Sequence, residues 1–330
     1  MTTVGELGET ALIERIVERV RRASPLQTMG GRVIAAIGDD AAAWRVAGVQ
    51  AATTDTMVEG VHFRTSTMSW ADVGWKAWVS NVSDIAAMGG SPFAGLVTLG
   101  LPADLDVNDV DALYDGMLEA CAAYGTELMG GDIVGSPVPF VTVAMTGVCS
   151  ATPLSRSAAR PGDVLAVTGP LGGSRGGLLL LESGAELDTP ARQALALAHR
   201  RPAARTDASA VLRRVGVRCA MDLSDGLAAD LPKLAKASRV SARVEVDHVP
   251  AADALRSEFR PDALRLALGG GEDYELLFTG PSDLVQDVVS EVPGSVVIGE
   301  IIEGPAGRIS FVAGRGEPVT IDVEGWEHLR

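Results

Sequence analysis

Cysteine and histidine are too few and too scattered in this sequence for several common kinds of site. The three cysteines, at positions 121, 149 and 219, form no CxxC pair, and the four histidines form no HExxH motif. The sequence therefore indicates neither a disulfide framework nor a zinc centre.

Lysine is almost absent, and the balance of charge is strongly acidic. Lysine occurs only at positions 76, 233 and 236, and 28 basic residues stand against 43 acidic ones, for a net charge of −15. This balance argues against nucleic acid or an anionic membrane as a direct partner. An anionic substrate would need its charge offset locally, and metal ions suit that role better than so few lysines.

Long apolar runs are also missing. No segment approaches the ~20 apolar residues needed to span a bilayer. The charged, helix-like start of the chain lacks the apolar centre of a signal peptide. With so few cysteines, the sequence predicts a soluble protein in the reducing cytoplasm.

What the sequence does contain is enough apolar periodicity for two folded domains. Hydrophobic residues make up 47% of the 330 positions, and a chain of this length favours two domains. Periodicity disappears over residues 149–163, so we predict domains over 1–150 and 151–330. Helices are predicted over 6–22, 69–88, 106–124, 173–183, 189–199, 204–214 and 225–238, and strands over 32–37, 49–54, 93–101, 138–148, 163–169, 217–222, 240–246, 274–280 and 295–301. Mixed helices and strands in both halves predict an α/β or α+β fold.

Asp39 and Asp40 stand side by side at the end of an apolar segment that reads as a buried strand. At ~5 Å and an effective dielectric near 20, two carboxylates repel each other by roughly 3 kcal/mol. Two interpretations stay open at this point. One aspartate caps a following helix while the other faces water, or a cation lies between them.

Other acids share that setting. Most come after an apolar segment, which we interpret as a strand end, and next to Gly, Ser or Thr: Asp55, Asp84, Asp132, Asp222, Asp225, Glu272 and Asp273. Mg²⁺ is typically held by one or two carboxylates together with substrate phosphates, so several ions shared with a polyphosphate would use such acids. Taken singly, each is also an ordinary cap or turn residue, and the sequence does not show that they converge.

The glycine-rich segment 168–181, TGPLGGSRGGLLLL, joins a predicted strand to a predicted helix. Backbone N–H groups at such a helix start suit a phosphate group. The segment matches neither GxGxxG nor the P-loop pattern. Close packing of the helix on the strand explains the glycines equally well.

Seven motifs occur together and in a fixed order: IGDDAA, TTDTMVEGVHF, NVSDIAAMGG, GGD, LSRSAARPGD, MDLSDGL and GGGEDYELLF. As a set they resemble the thiamine-monophosphate kinases, a family within the superfamily of aminoimidazole ribonucleotide synthetase. The resemblance runs from around residue 6 to Trp326. It implies transfer of a phosphoryl group from ATP to thiamine monophosphate with several Mg²⁺ ions.

The resemblance also implies the architecture. It implies two mixed-sheet domains, with residues 1–150 binding ATP and Mg²⁺ and pairing their sheet across a homodimer. Residues 151–330 would form an α/β domain that completes the active site.

Roles for individual residues follow from the same resemblance. It implies Mg²⁺ ligands at Asp40, Thr53, Thr54, Asp55, Asp84, Asp132 and Asp222, with Asp225 on a further ion near the polyphosphate. It implies nucleotide contacts at Tyr114, Gly131, Asp132, Arg156 and Ser224, and substrate contacts at His62, Glu272 and Trp326. No dedicated catalytic base is expected, because the attacking phosphate oxygen is already ionised at neutral pH.

Three kinds of alternative stay open. Amide-activating synthetases, selenophosphate synthetases and hydrogenase-maturation proteins share the architecture, but the pair TTDTMVEGVHF and GGGEDYELLF favours the kinase. A non-catalytic sensor would bind magnesium–nucleotide and form no thiamine diphosphate. An aspartate-dependent phosphatase is disfavoured because the chain lacks the DxDx[TV] pattern.

Overall fold

The computed structural model describes residues 2–23, 33–35, 37, 41–149, 152–314 and 316–321. Backbone contacts divide the chain into two compact units. The first unit comprises Met1–Ile85 and Ser91–Ala151, and the second comprises Ala86–Gly90 and Thr152–Arg330. Each unit combines helices with a mixed sheet, which confirms the predicted fold class.

The first unit follows the predicted order of elements with two added strands. Its helices are α1 (Val4–Leu7), α2 (Glu9–Ala23), α3 (Trp70–Ala87, the last two residues belonging to the second unit) and α4 (Val107–Tyr124). Its strands are β1 (Val33–Ala35), β2 (Ala43–Trp44), β3 (Val49–Val58), β4 (Ser91–Leu101), β5 (Glu127–Gly135) and β6 (Phe140–Cys149). Neither β2 nor β5 was predicted: β2 has only two residues, and glycines interrupt the apolar pattern of β5.

The predicted helix over 6–22 is wrong at its start. Gly8 has a φ of +80° and ends α1, so two helices form instead of one. Thr3 and Glu6 cap α1 reciprocally, each side chain accepting from the other residue's backbone N–H.

The four-stranded sheet of the first unit has the order β3-β6-β4-β5, with only β4 and β5 parallel. Helix α3 packs on one face of it, where a side chain at Gly95 would overlap the ring of Trp78. Helix α4 packs on α3 at a glycine contact, since a Cβ at Gly74 would lie 1.9 Å from the carbonyl oxygen of Leu113. On the opposite face Leu96 is 39% exposed, and we call this the open face.

The second unit has more elements than predicted, mainly toward its C-terminal end. Its helices are α5 (Gly173–Glu182), α6 (Pro190–Arg200), α7 (Thr206–Val215), α8 (Leu227–Ser238), α9 (Asp253–Glu258), α10 (Ala263–Gly269) and α11 (Ser282–Glu291), with a 3-10 turn at Val246–His248. Its strands are β7 (Val164–Val167), β8 (Cys219–Asp222), β9 (Ser241–Glu245), β10 (Leu276–Gly280), β11 (Val296–Ile302), β12 (Ile309–Ala313) and β13 (Glu317–Pro318).

Both faces of the second sheet are covered by helices. The strand order is β13-β12-β9-β11-β7-β10-β8, and only β12 and β9 run parallel. Along β7, Leu165 and Val167 join one apolar core while Ala166 joins another. Helices α5, α6, α8, α9 and α10 contribute to the first of these cores, and α7 and α11 to the second. Burial on both faces explains why such strands read as unbroken apolar runs.

Two further observations concern expectations from composition. Cys121, Cys149 and Cys219 are all free and buried. None of the helices in the described segments is long and apolar enough to cross a membrane.

Candidate functional site

In the first unit the structure brings two predicted magnesium-binding residues into contact. Thr53, in the middle of β3, donates a hydrogen bond from its hydroxyl to the carboxylate of Asp84 in the last turn of α3. The helix predicted over 69–88 contains Asp84, and the structure confirms it: Asp84 lies inside α3 and not at a strand end. The contact places two oxygen atoms that could bind a metal ion, one from β3 and one from α3, side by side.

The predicted magnesium-binding residues on β3 do not all lie on the same face of the strand. Thr53 and Asp55 are partly buried, whereas Thr54 and Thr56 between and after them are exposed. This alternation is that of a strand with one covered face. Asp55 therefore lies inside β3 rather than after it, which corrects its predicted position. The Thr54 side chain points to the opposite face from Thr53 and Asp55.

The cross-strand register shows which residues of β5 share a face of the sheet with Asp55. Asp55 aligns with Val143, Val143 with Val97, and Val97 with Gly131. Asp132 aligns instead with Thr98, whose row continues through β6 to the exposed Thr56. Asp132 thus lies within a strand on the open face, and the first unit does not gather it with Thr53 and Asp55.

Two other predicted contacts lie in the first unit. His62 is held in the turn after β3, where its Nδ1 accepts a hydrogen bond from the backbone N–H of Val58 at 3.1 Å. In the neutral ring the proton then resides on Nε2. Tyr114 lies on α4 and is 4% exposed, and burial raises the pKa of its phenol.

In the second unit, the MDLSDGL and GGGEDYELLF segments interlock through their backbones. Asp222 ends β8 and pairs with Leu276 of β10. The backbone N–H of Glu272 then donates to the carbonyl of Ser224 at 2.8 Å. A side chain at Gly271 would lie 2.5 Å from that same carbonyl oxygen, so the close approach requires glycine. The two motifs, about fifty residues apart in sequence, form one local structure.

Asp273 lies between two residues with positive φ, and its carboxylate binds the start of α5. Glu272 and Tyr274 have φ values of +64° and +52°, a region that non-glycine residues rarely occupy. Between them, the Asp273 carboxylate accepts hydrogen bonds from the backbone N–H groups of Gly172 at 2.6 Å and Ser174 at 3.2 Å. Burial raises the pKa of Asp273 to about 7, despite these two donors.

This contact changes the interpretation of the glycine-rich segment. The first N–H groups of α5, which a phosphate would use, already bind the Asp273 carboxylate. A side chain at Gly172 would lie 2.6 Å from Leu255, and one at Gly177 would lie 2.0 Å from the carbonyl oxygen of Leu195. Packing, and not phosphate binding, therefore explains these glycines.

Residues 172–176 also match the GxSxG spacing of a serine nucleophile. The structure argues against that chemistry. Ser174 is 1% exposed, and its Oγ lies 3.2 Å from Nδ1 of His199. An oxygen of the Glu272 carboxylate lies 3.4 Å from the same Nδ1. A catalytic triad needs the serine and the acid on opposite nitrogens of the ring, so this arrangement cannot pass a proton from Ser174 through His199.

The carboxylate of Asp225 is paired with a lysine in this structure. Lys233 contacts both Asp225 and the buried Asp230, the latter at 2.8 Å. Burial raises the pKa of Asp230, and although burial lowers the pKa of Lys233, the two carboxylates raise it overall. A divalent ion at Asp225 would compete with Lys233 for this oxygen. Sequence reasoning missed Lys233, although its position three residues after Asp230 in α8 is a helical signal.

Arg156 lies away from the other nucleotide-binding candidates of this unit. Its carbonyl accepts a hydrogen bond from Ser238 at the C-terminal end of α8, at 2.8 Å. Ser224 and Asp225 precede the other end of α8, and a helix of that length spans about 18 Å. The second unit therefore separates Arg156 from Ser224.

Three of the residues singled out in the sequence, Asp39, Asp40 and Trp326, lie outside the described residues. Within the described ranges, His, Cys, Asp and Glu side chains form no group of three or more that could hold a metal ion. The pair formed by Thr53 and Asp84 nevertheless suits Mg²⁺, which takes oxygen ligands and completes its shell with water and phosphate oxygens.

Comparison with known proteins matches both halves of the chain. The family model for the N-terminal domain of AIR synthase related proteins matches residues 38–149, and the model for the C-terminal domain matches residues 160–312. Over 98% of both chains, the sequence is 37% identical to thiamine-monophosphate kinase of Escherichia coli K12. This chain belongs to the thiamine-monophosphate kinase family. The family prediction made from the motifs is confirmed.

Solved structures of the family agree in fold over nearly the whole chain. The thiamine-monophosphate kinase from Stenotrophomonas maltophilia K279a superposes with a TM-score of 0.80 at 33% identity, covering 92% of this chain and 96% of that one. AaThiL complexed with AMPPCP and TMP superposes with a TM-score of 0.77 at 33% identity, covering 98% of both chains.

Proposed function

We propose that this chain transfers the γ-phosphoryl group of ATP to the phosphate of thiamine monophosphate, giving thiamine diphosphate and ADP. The observation that carries the proposal is the near-complete match to a family member in complex with AMPPCP and TMP. A methylene analogue of ATP and the monophosphate in one complex correspond to the two substrates of such a transfer. The two anions repel each other, so their charge must be offset where they meet.

Eight residues are proposed to hold the magnesium ions: Asp40, Thr53, Thr54, Asp55, Asp84, Asp132, Asp222 and Asp225. Bound Mg²⁺ would orient the γ-phosphoryl group and neutralise charge that develops in transfer. The contact between Thr53 and Asp84 supports this set most directly. Thr53 fixes the Asp84 carboxylate before any ion arrives, and a fixed ligand needs little reorganisation.

The remaining candidates are proposed to contact the organic parts of the two substrates. Tyr114, Gly131, Asp132, Arg156 and Ser224 are proposed on the nucleotide side, and His62, Glu272 and Trp326 on the side of thiamine monophosphate. Among these, His62 has a ring orientation fixed by the hydrogen bond that its Nδ1 accepts from Val58. Because a phosphate monoester is already an anion at neutral pH, we assign no residue as a general base.

A homodimer is proposed as the assembly, with the open face of the first sheet as the interface. Leu96 and Val134 are both exposed on this face, at 39% and 40%. Asp132 lies on it too, so in such a dimer its carboxylate would lie at the subunit contact. A cytoplasmic location is proposed as well, since all three buried cysteines are free thiols.

The experiment that tests the function is an incubation of the purified protein with ATP, Mg²⁺ and thiamine monophosphate. We expect thiamine diphosphate and ADP in equal amounts. A sensor would bind ATP and form no thiamine diphosphate. A phosphatase would release inorganic phosphate in the absence of ATP.

A further inference from the structure

We propose that His199 is a positioning residue that orients the Glu272 carboxylate for thiamine monophosphate, an inference that rests on the proposed function. His199 lies on α6 and is 2% exposed. Its Nδ1 is 3.4 Å from Oε2 of Glu272 and 3.2 Å from Oγ of Ser174. The Glu272 side chain is 30% exposed, so one end of it contacts the buried ring while the rest reaches solvent.

The chemistry of the three groups fixes where the imidazole proton lies. An ionised carboxylate only accepts hydrogen bonds. If Nδ1 were unprotonated, its lone pair would face a carboxylate oxygen at 3.4 Å, which is repulsive. Nδ1 therefore carries the proton and donates toward Glu272, with the Ser174 hydroxyl as the second acceptor.

The backbone of Glu272 is already constrained, so the contact with the His199 ring acts on the remaining freedom of the Glu272 side chain. Glu272 has a φ of +64°, and its N–H donates to the carbonyl of Ser224. What remains is the side chain, and ordering a glutamate side chain costs conformational entropy. A carboxylate ordered in the free protein does not incur this cost when substrate binds, so its affinity for the substrate is higher.

Close packing of two helices brings His199 to this position. A Cβ at Gly177 of α5 would lie 3.0 Å from Cβ of His199 and 2.0 Å from the carbonyl oxygen of Leu195. Only glycine lets α5 and α6 approach enough for the ring to reach Ser174 and Glu272. The competing explanation is that His199 only fills the core, and it predicts no selective effect on one substrate.

The test compares His199→Leu, which keeps bulk without a donor, with His199→Asn, whose amide nitrogen approximates the Nδ1 position. We expect His199→Leu to raise KM for thiamine monophosphate about tenfold, as loss of a supporting contact to a ligand residue does. KM for ATP should stay within about twofold, and His199→Asn should recover most of the loss. A KM for thiamine monophosphate unchanged in His199→Leu, or both KM values rising together, would overturn the positioning role.

A double-mutant cycle with Glu272→Gln separates positioning from general damage. If His199 acts through Glu272, adding His199→Leu to Glu272→Gln raises KM by less than about twofold further. Independent, multiplying effects would contradict the inference. Wild-type protein in the same assay distinguishes a failure of the proposed function from a failure of the positioning role. No thiamine diphosphate from wild type overturns the proposed function and this inference with it, whereas an active wild type with a normal His199→Leu overturns the inference alone.

A second measurement covers the case in which His199→Leu does not fold. Nitrogen-15 NMR of the wild-type imidazoles should show His199 with its proton on Nδ1, and Glu272→Gln should shift that resonance. An unprotonated Nδ1, or a resonance that does not move in Glu272→Gln, would refute the contact.

Discussion

The hydroxyl of Thr53 donates a hydrogen bond to the carboxylate of Asp84, joining the middle of β3 to the last turn of α3. The two residues are 31 positions apart in sequence. Their contact is direct support for the idea that acids dispersed along the chain meet donors from other elements. Asp55 lies on the same face of β3 as Thr53, and α3, which carries Asp84, packs on that face.

Replacing Asp84 by Asn should lower turnover by about two orders of magnitude, because an amide oxygen holds Mg²⁺ less well than a carboxylate. The fold should be retained, since Asn still accepts the hydrogen bond from Thr53. Steady-state rates with circular dichroism check both points. Asp115→Asn is the matched control, because Asp115 is an exposed acid on α4. Near-wild-type turnover in Asp84→Asn would refute its role as a ligand.

Asp273 should make stability fall as pH rises from 5 to 8. Its pKa is about 7 in the folded protein against an ordinary 3.8, so the folded state binds the proton more tightly than the unfolded state does. The stabilisation is fully present below pH 3.8 and is lost as pH passes through about 7. Urea unfolding of wild type and Asp273→Asn over this range measures the effect. A difference in unfolding free energy that does not vary with pH would contradict it.

Gly177→Ala should destabilise the second unit by about 2–4 kcal/mol, because the added methyl would overlap the backbone of Leu195 and force α5 and α6 apart. Gly173→Ala in the same helix is the control. Its Cβ would lie 3.4 Å from Ala198, an ordinary contact, so its unfolding free energy should stay within about 0.5 kcal/mol of wild type. Equal thermal midpoints for the two variants would show that the close approach is not required.

Lys233→Met should lower the unfolding free energy at pH 7 by about 1–2 kcal/mol, because buried Asp230 loses its ion pair and keeps the N–H donor of Asp225. Lys236→Met, at an exposed position on the same helix, should change it by less than about 0.5 kcal/mol. The Mg²⁺ concentration for half-maximal rate should not rise in Lys233→Met, since a competitor for Asp225 is removed. A rise would mean that Lys233 assists the metal.

The elements of both units could largely be predicted from the sequence, because their apolar periodicity is strong. The predicted helices over 69–88 and 106–124 correspond closely to α3 and α4. Strand β5 was missed because Gly130 and Gly131 interrupt its pattern. The start of β3 was predicted correctly, but its end was missed because the strand continues past Asp55 through Thr56 to Val58.

The candidate site was predictable in its residue types and less so in its contacts. Motif order alone identified the family. The carboxylate of Asp273, which caps α5 across 101 residues of sequence, carries no local signal. The same holds for His199, whose contact with Glu272 exists only after α5 and α6 pack. The opposite placement of Asp132 depends on register, which periodicity of two fixes only once the partner strands are known.

The most direct test of the account follows the fate of the terminal phosphoryl group of ATP. The protein is incubated with γ-labelled ATP, Mg²⁺ and thiamine monophosphate, and the products are separated. The account predicts label in thiamine diphosphate, in equal amount to the ADP formed and absent when Mg²⁺ is chelated. Label recovered only as inorganic phosphate or unconsumed ATP, with no labelled thiamine diphosphate, would contradict it.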